Sequence, residues 1–166
     1  MEQTLELTHN LLATKGQRFA NYIIDFIIKF LIAAAIGIIS GLLYQYFDIV
    51  GPYYWVTNMN KIEEFLLGYV ILFFYYILFE ATLQRSPAKF ITGTKVVTFD
   101  GSKPSFGDIV KRTLCRMIPF NEFSFLGEPD KGWHDSISQT YVIDIKKYNQ
   151  ALQLKNSFEE IGATTE

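Results

Sequence analysis

A chain of 166 residues is of single-domain size, and its averages are ordinary: 49% hydrophobic, 19% charged, formal net charge -2. The mildly acidic balance excludes a nucleic-acid-binding role, which needs a basic excess gathered on one face, and the single cysteine, Cys115, excludes an intrachain disulfide framework or a multi-cysteine metal site. The averages conceal a partition: residues 30–47 and 65–79 carry no charge at all, whereas most of the charge falls after Gln84.

Residues 1–17 form a polar leader of mixed charge, too long and too polar for a cleaved signal sequence. The first apolar segment follows at 19–46 and as a helix is about 42 Å long, more than the roughly 30 Å hydrocarbon layer of a bilayer. Asp25 and Lys29 interrupt it near its start. Each costs about 2.5–3.5 kcal/mol at mid-bilayer, against a return of about 0.3–0.6 from each Leu, Ile, Phe or Val, so the segment inserts only with both charges off-centre. Arg18, Asp25 and Lys29, spaced seven and four apart, fall within about 40° of one another on a helix. This single polar stripe, with Asn21 and Tyr22 beside it, should face protein or water rather than lipid.

The connecting loop carries Tyr44, Tyr46, Tyr53, Tyr54 and Trp55 around Gly51 and Pro52, an aromatic belt of the kind found at a membrane interface. The second apolar segment, 62–83, is long enough to span and bears Glu80 near its far end. Lys15 and Arg18 precede the first span and Arg85, Lys89, Lys95 and Lys103 follow the second, while the loop between holds only Lys61; both termini are therefore expected in the cytoplasm. Counted from the outer ends of an antiparallel hairpin, Lys29 lies about 14 residues deep and Glu80 about 15, which predicts a Lys29–Glu80 ion pair. Tyr69, Phe73 and Tyr76 share a helical face and are expected to serve helix packing or lipid contact.

Beyond Gln84 the periodicity changes. Residues 95–99 (KVVTF) read as a strand closed by the Asp100-Gly101 turn, and 140–145 (TYVIDI) as a second strand paired with it. Between them, Ser105 and Asp108 form a capping box that opens a helix over 106–118, ending before Pro119. Its apolar residues share one face, and Lys111, Arg112 and Arg116 line another. The pattern suits an interfacial helix with its basic side toward anionic headgroups, the alternative being that Arg112 and Arg116 turn inward to Asp25, Asp108 or Asp135. The tail, 146–166, is polar and reads as a helical stub followed by disorder. The fold class expected is thus an α-helical integral membrane protein: a two-helix transmembrane hairpin with a cytoplasmic amphipathic helix and a small β-element, organised as a leader (1–17), a membrane domain (18–145) and a tail (146–166).

The chain has no dinucleotide-binding glycine motif, phosphate loop, HExxH, CxxC or GxSxG. An enzyme is not expected, nor a metal or cofactor. His9 and His134 lie in separate polar regions, and Asp135 beside His134 reads as a hydrogen-bonded loop element. The motifs that do occur resemble those of the RDD family of bacterial membrane proteins, named for one arginine and two aspartates. GQRFANYIID supplies Arg18 and Asp25; SPAKFITGTKVVTFDG is similar to the family's post-helix segment through Lys89, Gly93, Val96 and Val97; KRTLCR supplies Arg112 and Arg116; and GWHDSISQTYVI supplies His134, Asp135 and Thr140. Ser86 and Ala88 stand where the family more often has Thr and Gly. Many members carry a further hydrophobic helix before the His-Asp motif, so a short form with two spans is implied.

The resemblance implies transport of ions or small ligands, with Arg18, Asp25 and Asp135 on the ion or ligand path and Lys29, Glu80, Lys89, Arg112, Arg116 and His134 supporting it. A polar stripe on only two helices has to be shielded from lipid, so transport would call for a homo-oligomer or a membrane partner in the bacterial cytoplasmic membrane. The alternative is a membrane anchor or scaffold whose cytoplasmic part binds a protein or anionic lipid.

Overall fold

The computed structural model describes residues 7–119, 121, 124 and 132–163. Two long helices dominate it: α1 (Lys15–Phe47) and α3 (Lys61–Leu83), joined by the short helix α2 (Val50–Thr57). At 1.5 Å per residue they are about 50 and 35 Å long, enough to cross a roughly 30 Å hydrocarbon layer. Only 6% and 22% of their most apolar windows are buried in protein, so neither is wrapped as the core helix of a soluble domain is. Each begins with a reciprocal cap. Thr14 accepts from the Gln17 amide, and Asn60 accepts from the amides of Ile62 and Glu63; the Gln17 and Glu63 side chains return the bond to the capping residue. The loop expected between the spans is largely helical, and Tyr44 stacks on Tyr53 across it with ring centroids 4.6 Å apart.

After α3 the chain reverses in a left-handed conformation at Gln84 (φ 59°). It enters α4 (Pro87–Thr92), which starts on a proline whose missing N–H costs nothing there and stops at Gly93 (φ 67°). Then comes β1 (Thr94–Thr98), paired antiparallel with β2 (Thr140–Asp144) so that Val96 faces Val142, the pairing expected from the sequence. One face of this sheet rests on the start of α1, where the Asn21 side-chain amide donates to the Thr94 hydroxyl at 3.0 Å. The other face closes a small core of Leu11, Val97, Ile143 and Tyr148. Part of the leader belongs to that core: Leu11 and Ala13 are buried, and the Ala13 amide donates to the Val142 carbonyl at 2.9 Å. The remainder of the leader, 1–6, lies outside the described residues. The tail is helical through its described length, as α7 (Ile145–Ala163), in place of a stub; 164–166 lie outside the described residues.

The largest departure from expectation concerns α5 (Phe106–Cys115). Its Ser105–Asp108 capping box forms as predicted, and residues 116–118 continue as turns. Its two arginines turn inward, the alternative that the sequence left open, while Lys111 stays exposed. Arg112 and Arg116 are buried, as are Ile109 and Thr113, whereas Phe106, Leu114 and Ile118 are exposed. Two unlike faces were correctly read, but which one turns inward depends on carboxylates that only the tertiary fold supplies. The helix lies along α3: the Lys103 ammonium donates to the Thr82 carbonyl at 3.4 Å near one end, and the Tyr69 hydroxyl to the Met117 carbonyl at 3.0 Å near the other. A short helix, α6 (Trp133–Ile137), then packs on α5 and leads into β2. Most of the connection from α5 to α6, where the sequence lacks a further hydrophobic helix, lies outside the described residues.

Ile109 is the fully buried apolar contact of α5, and Leu114 sits on its open face. Ile109→Ala is expected to lower the unfolding free energy by about 2–5 kcal/mol, and Leu114→Ala by much less, as read from denaturant unfolding in detergent micelles.

Candidate functional site

The first three turns of α1 place Arg18, Asn21 and Asp25 on its inner side, all three buried, and α3 presents Tyr75, Tyr76 and Glu80 to them. The polar stripe predicted for α1 thus faces protein. Within this chain, Tyr75 of α3 and Ser86 and Ala88 at the start of α4 enclose Asp25 and leave it only 1% exposed.

Three carboxylates organise the cluster. Glu80 accepts from the Lys89 ammonium at 3.0 Å, from Arg112 Nε at 3.2 Å and from both terminal nitrogens of Arg116 at 2.8 and 3.1 Å. Asp135, on α6, accepts from Arg18, from Arg112 and from the Gly132 amide, the last at 3.1 Å. Arg112 is shared: its Nε is committed to Glu80 and its Nη1 to Asp135, with a further bond from Nη1 to the Thr140 hydroxyl at 2.7 Å. Asp25 is held differently. Its oxygens accept from the hydroxyls of Tyr75 and Ser86, both at 2.6 Å, and from the Ala88 amide at 3.2 Å. Among the described residues no cationic nitrogen lies within ion-pair distance of Asp25. Ser86 also receives a bond from Lys89 at 3.4 Å, linking the Asp25 and Glu80 centres. Ser86 and Ala88, the two departures from the family pattern, therefore both serve Asp25, one through its hydroxyl and one through its backbone.

The predicted Lys29–Glu80 pair does not form. Glu80 is taken by Lys89 on α4 and by the two arginines of α5, while the Lys29 ammonium stands 4.9 Å from the centre of the Tyr76 ring. Depth counting places residues at a common level but ignores elements that fold back against the hairpin. Of the two roles expected for Tyr76, packing and lipid contact, its burial fits packing. The Arg116 guanidinium lies 3.8 Å from its ring centre and the Lys89 ammonium 5.8 Å away. The Tyr75 hydroxyl was not singled out in the sequence, since a tyrosine in an aromatic run gives no signal until its partner is known.

Burial by itself would raise the Asp135 carboxyl, but the guanidiniums of Arg112 and Arg18 outweigh it and hold the group well below the usual carboxylate range. Burial pushes the His134 imidazole well below its ordinary value; Asp135 opposes this, and the nearby Arg112, Arg116 and Arg18 reinforce it. The neutral ring fits its bonds. His134 Nδ1 lies 3.1 Å from the Asn121 side-chain nitrogen and 3.3 Å from its oxygen, that oxygen accepts the His134 backbone amide at 3.2 Å, and Nε2 lies 3.6 Å from Asp135. Arg18, Asp25, Tyr76, Lys89, Arg112, Arg116 and His134 line a cavity of about 40 Å³. Among the described residues no group of three His, Cys, Asp or Glu side chains could hold a metal ion.

A family model described as the RDD family matches residues 12–140, a stretch that contains every side chain of this cluster. No curated protein and no solved structure matches the chain.

The buried, neutral His134 has a consequence for stability. An unfolded chain takes up a proton at this residue near pH 6.5, and the folded one resists it. Stability from this source is complete above about pH 6.5 and declines as the pH falls below it; the Asp135 contribution is lost only below its own ordinary range, near 3.8. His134→Asn is expected to flatten the pH dependence of the denaturation midpoint between about pH 6.5 and 4.5 and to leave the steeper loss at lower pH.

Proposed function

The chain belongs to the RDD family, and from that premise we propose that it is a multi-pass protein of a bacterial inner membrane, moving an ion or a small solute by way of the charge cluster where α1 and α3 meet α4, α5 and α6. Two helices of spanning length and apolar surface support the membrane setting. The basic residues flanking both spans, against the single Lys61 between them, support cytoplasmic termini. In this setting α5 is a re-entrant segment. It runs back along α3 from Thr82 toward Tyr69, turns Phe106, Leu114 and Ile118 to lipid, and carries Arg112 and Arg116 inward to Glu80. Lipid-facing surface of this kind satisfies its backbone internally, as a helix must in a bilayer.

The observation that carries the transport role is the cavity beside Asp25. Ionisable groups gathered at a polar cavity between apolar helices mark a path for ions or solutes. Glu80 and Asp135 are each committed to two or more cations, while Asp25 is held by neutral donors alone and is the carboxylate left to couple to a moving ion.

A scaffold role has its own support in α7. Leu154 and Phe158, four residues apart and therefore on one helix face, are 61% and 71% exposed. An apolar pair so presented suits a cytoplasmic partner or the membrane surface.

Flux through proteoliposomes containing a pH-sensitive dye separates the two. The expected outcome is cation- or anion-dependent proton movement by the wild type and only the protein-free leak by Asp25→Asn, an isosteric change that keeps one acceptor oxygen and puts an amide donor in place of the other. Wild-type vesicles with no movement above leak, from protein that remains folded, would leave the scaffold role in its place.

A further inference from the structure

We infer that the cavity at the cluster is a binding site for one small monovalent anion of halide or nitrate size, held by the unused edge of Arg18. The assignment rests on the proposed ion-transport role insofar as it names the species that site takes. It stands on two observations that role does not use.

The first is an unmet set of donors. Arg18 is 6% exposed and commits Nη1 to Asp135, yet its Nε and Nη2 have no hydrogen-bond partner among the described residues. Those two nitrogens donate from one edge of the guanidinium plane, the edge that takes an anion through two parallel bonds. Buried unpaired donors on a charged group are rare and costly, and Arg18 lines the cavity.

The second is charge. Arg18, Lys89, Arg112 and Arg116 are buried together with Asp25, Glu80 and Asp135, so among the described residues the cations of the cluster outnumber its carboxylates by one. His134 adds no charge, since burial keeps its ring neutral. A water in the cavity would satisfy the Arg18 donors and leave the excess charge in place; an anion satisfies both. Asp25 lines the same cavity, but its oxygens are directed to Tyr75, Ser86 and Ala88. Size sets the class. About 40 Å³ holds a few water-sized bodies, enough for a halide or nitrate and too little for a phosphate ester or a dicarboxylate.

The test uses the full chain in detergent micelles in sodium gluconate, with chloride, bromide or nitrate exchanged in at constant ionic strength. It reads the thermal midpoint and the excess ³⁵Cl NMR linewidth. Saturable stabilisation by the three small anions, with none from added gluconate, is expected. Arg18→Lys keeps a cation for Asp135 but lacks the paired edge, and should weaken the apparent affinity at least about tenfold. Lys111→Gln, which removes an exposed cation of α5, should bind as wild type does.

A linear, anion-indifferent response with no excess linewidth would overturn the assignment and leave the cavity to water, and so would loss of binding in Lys111→Gln. If Arg18→Lys does not fold, the wild-type titration alone decides. Saturable binding without flux in vesicles would keep the site and remove transport; flux without saturable anion binding would do the reverse.

Discussion

Charges drawn to one end of two apolar helices must be neutralised by one another, because neither lipid nor a protein interior solvates them. Arg112 is the point on which this turns. Its guanidinium reaches Glu80 on α3 and Asp135 on α6 at once, so one side chain fixes the relative placement of three helices, its own α5 included. Arg18 carries the same carboxylate of α6 to α1, and Lys89 ties α4 to Glu80. The outcome is a continuous polar seam to which α4, α5, α6 and β2 are each docked by an ion pair or a charge-assisted hydrogen bond.

The local sequence cooperates with that seam. Gln84 and Gly93 turn the chain through left-handed conformations on either side of α4, so that Ser86, Ala88 and Lys89 fall back onto Asp25 and Glu80 within a few residues of leaving α3. The strand pair then joins the segment after α4 to the segment after α6, and Asn21 with Thr92 and Thr94 pins it to α1. Arg18 pairs with Asp135 directly in consequence, and Asp25 lines the same cavity as Arg18. Among the described residues of this cluster, the Nε and Nη2 edge of Arg18 is left without a hydrogen-bond partner.

How much of this could be read from residues alone follows from the range of each interaction. Spacing along one helix is local, so the two spans, the Ser105–Asp108 cap, the strand pair and the inward stripe of Arg18 and Asp25 were all legible. The choice of partner was not. Lys29 and Glu80 sit at matching depth, but two helices have a rotational setting that depth does not supply, and Lys89, nine residues beyond Glu80, was closer once the chain reversed at Gln84. The buried side of α5 was unreadable for the related reason that an amphipathic helix with arginines on one face fits headgroups and buried carboxylates equally well. Tyr75, lost among the aromatics of α3, becomes recognisable only beside Asp25, and Tyr76, read only as a packing or lipid-facing ring, acquires its cationic neighbours only in the fold.

Denaturant unfolding of Arg112→Met in detergent micelles, alone and combined with Glu80→Leu, tests most directly whether the shared arginine holds the fold together. Removing one member of a buried ionic network strands the others, so the single variant should lose about 3–5 kcal/mol. The double variant, having also removed one of the stranded carboxylates, should lose less than the two single changes added together. A single variant that unfolds at the wild-type midpoint, or strict additivity in the pair, would contradict a fold built around Arg112.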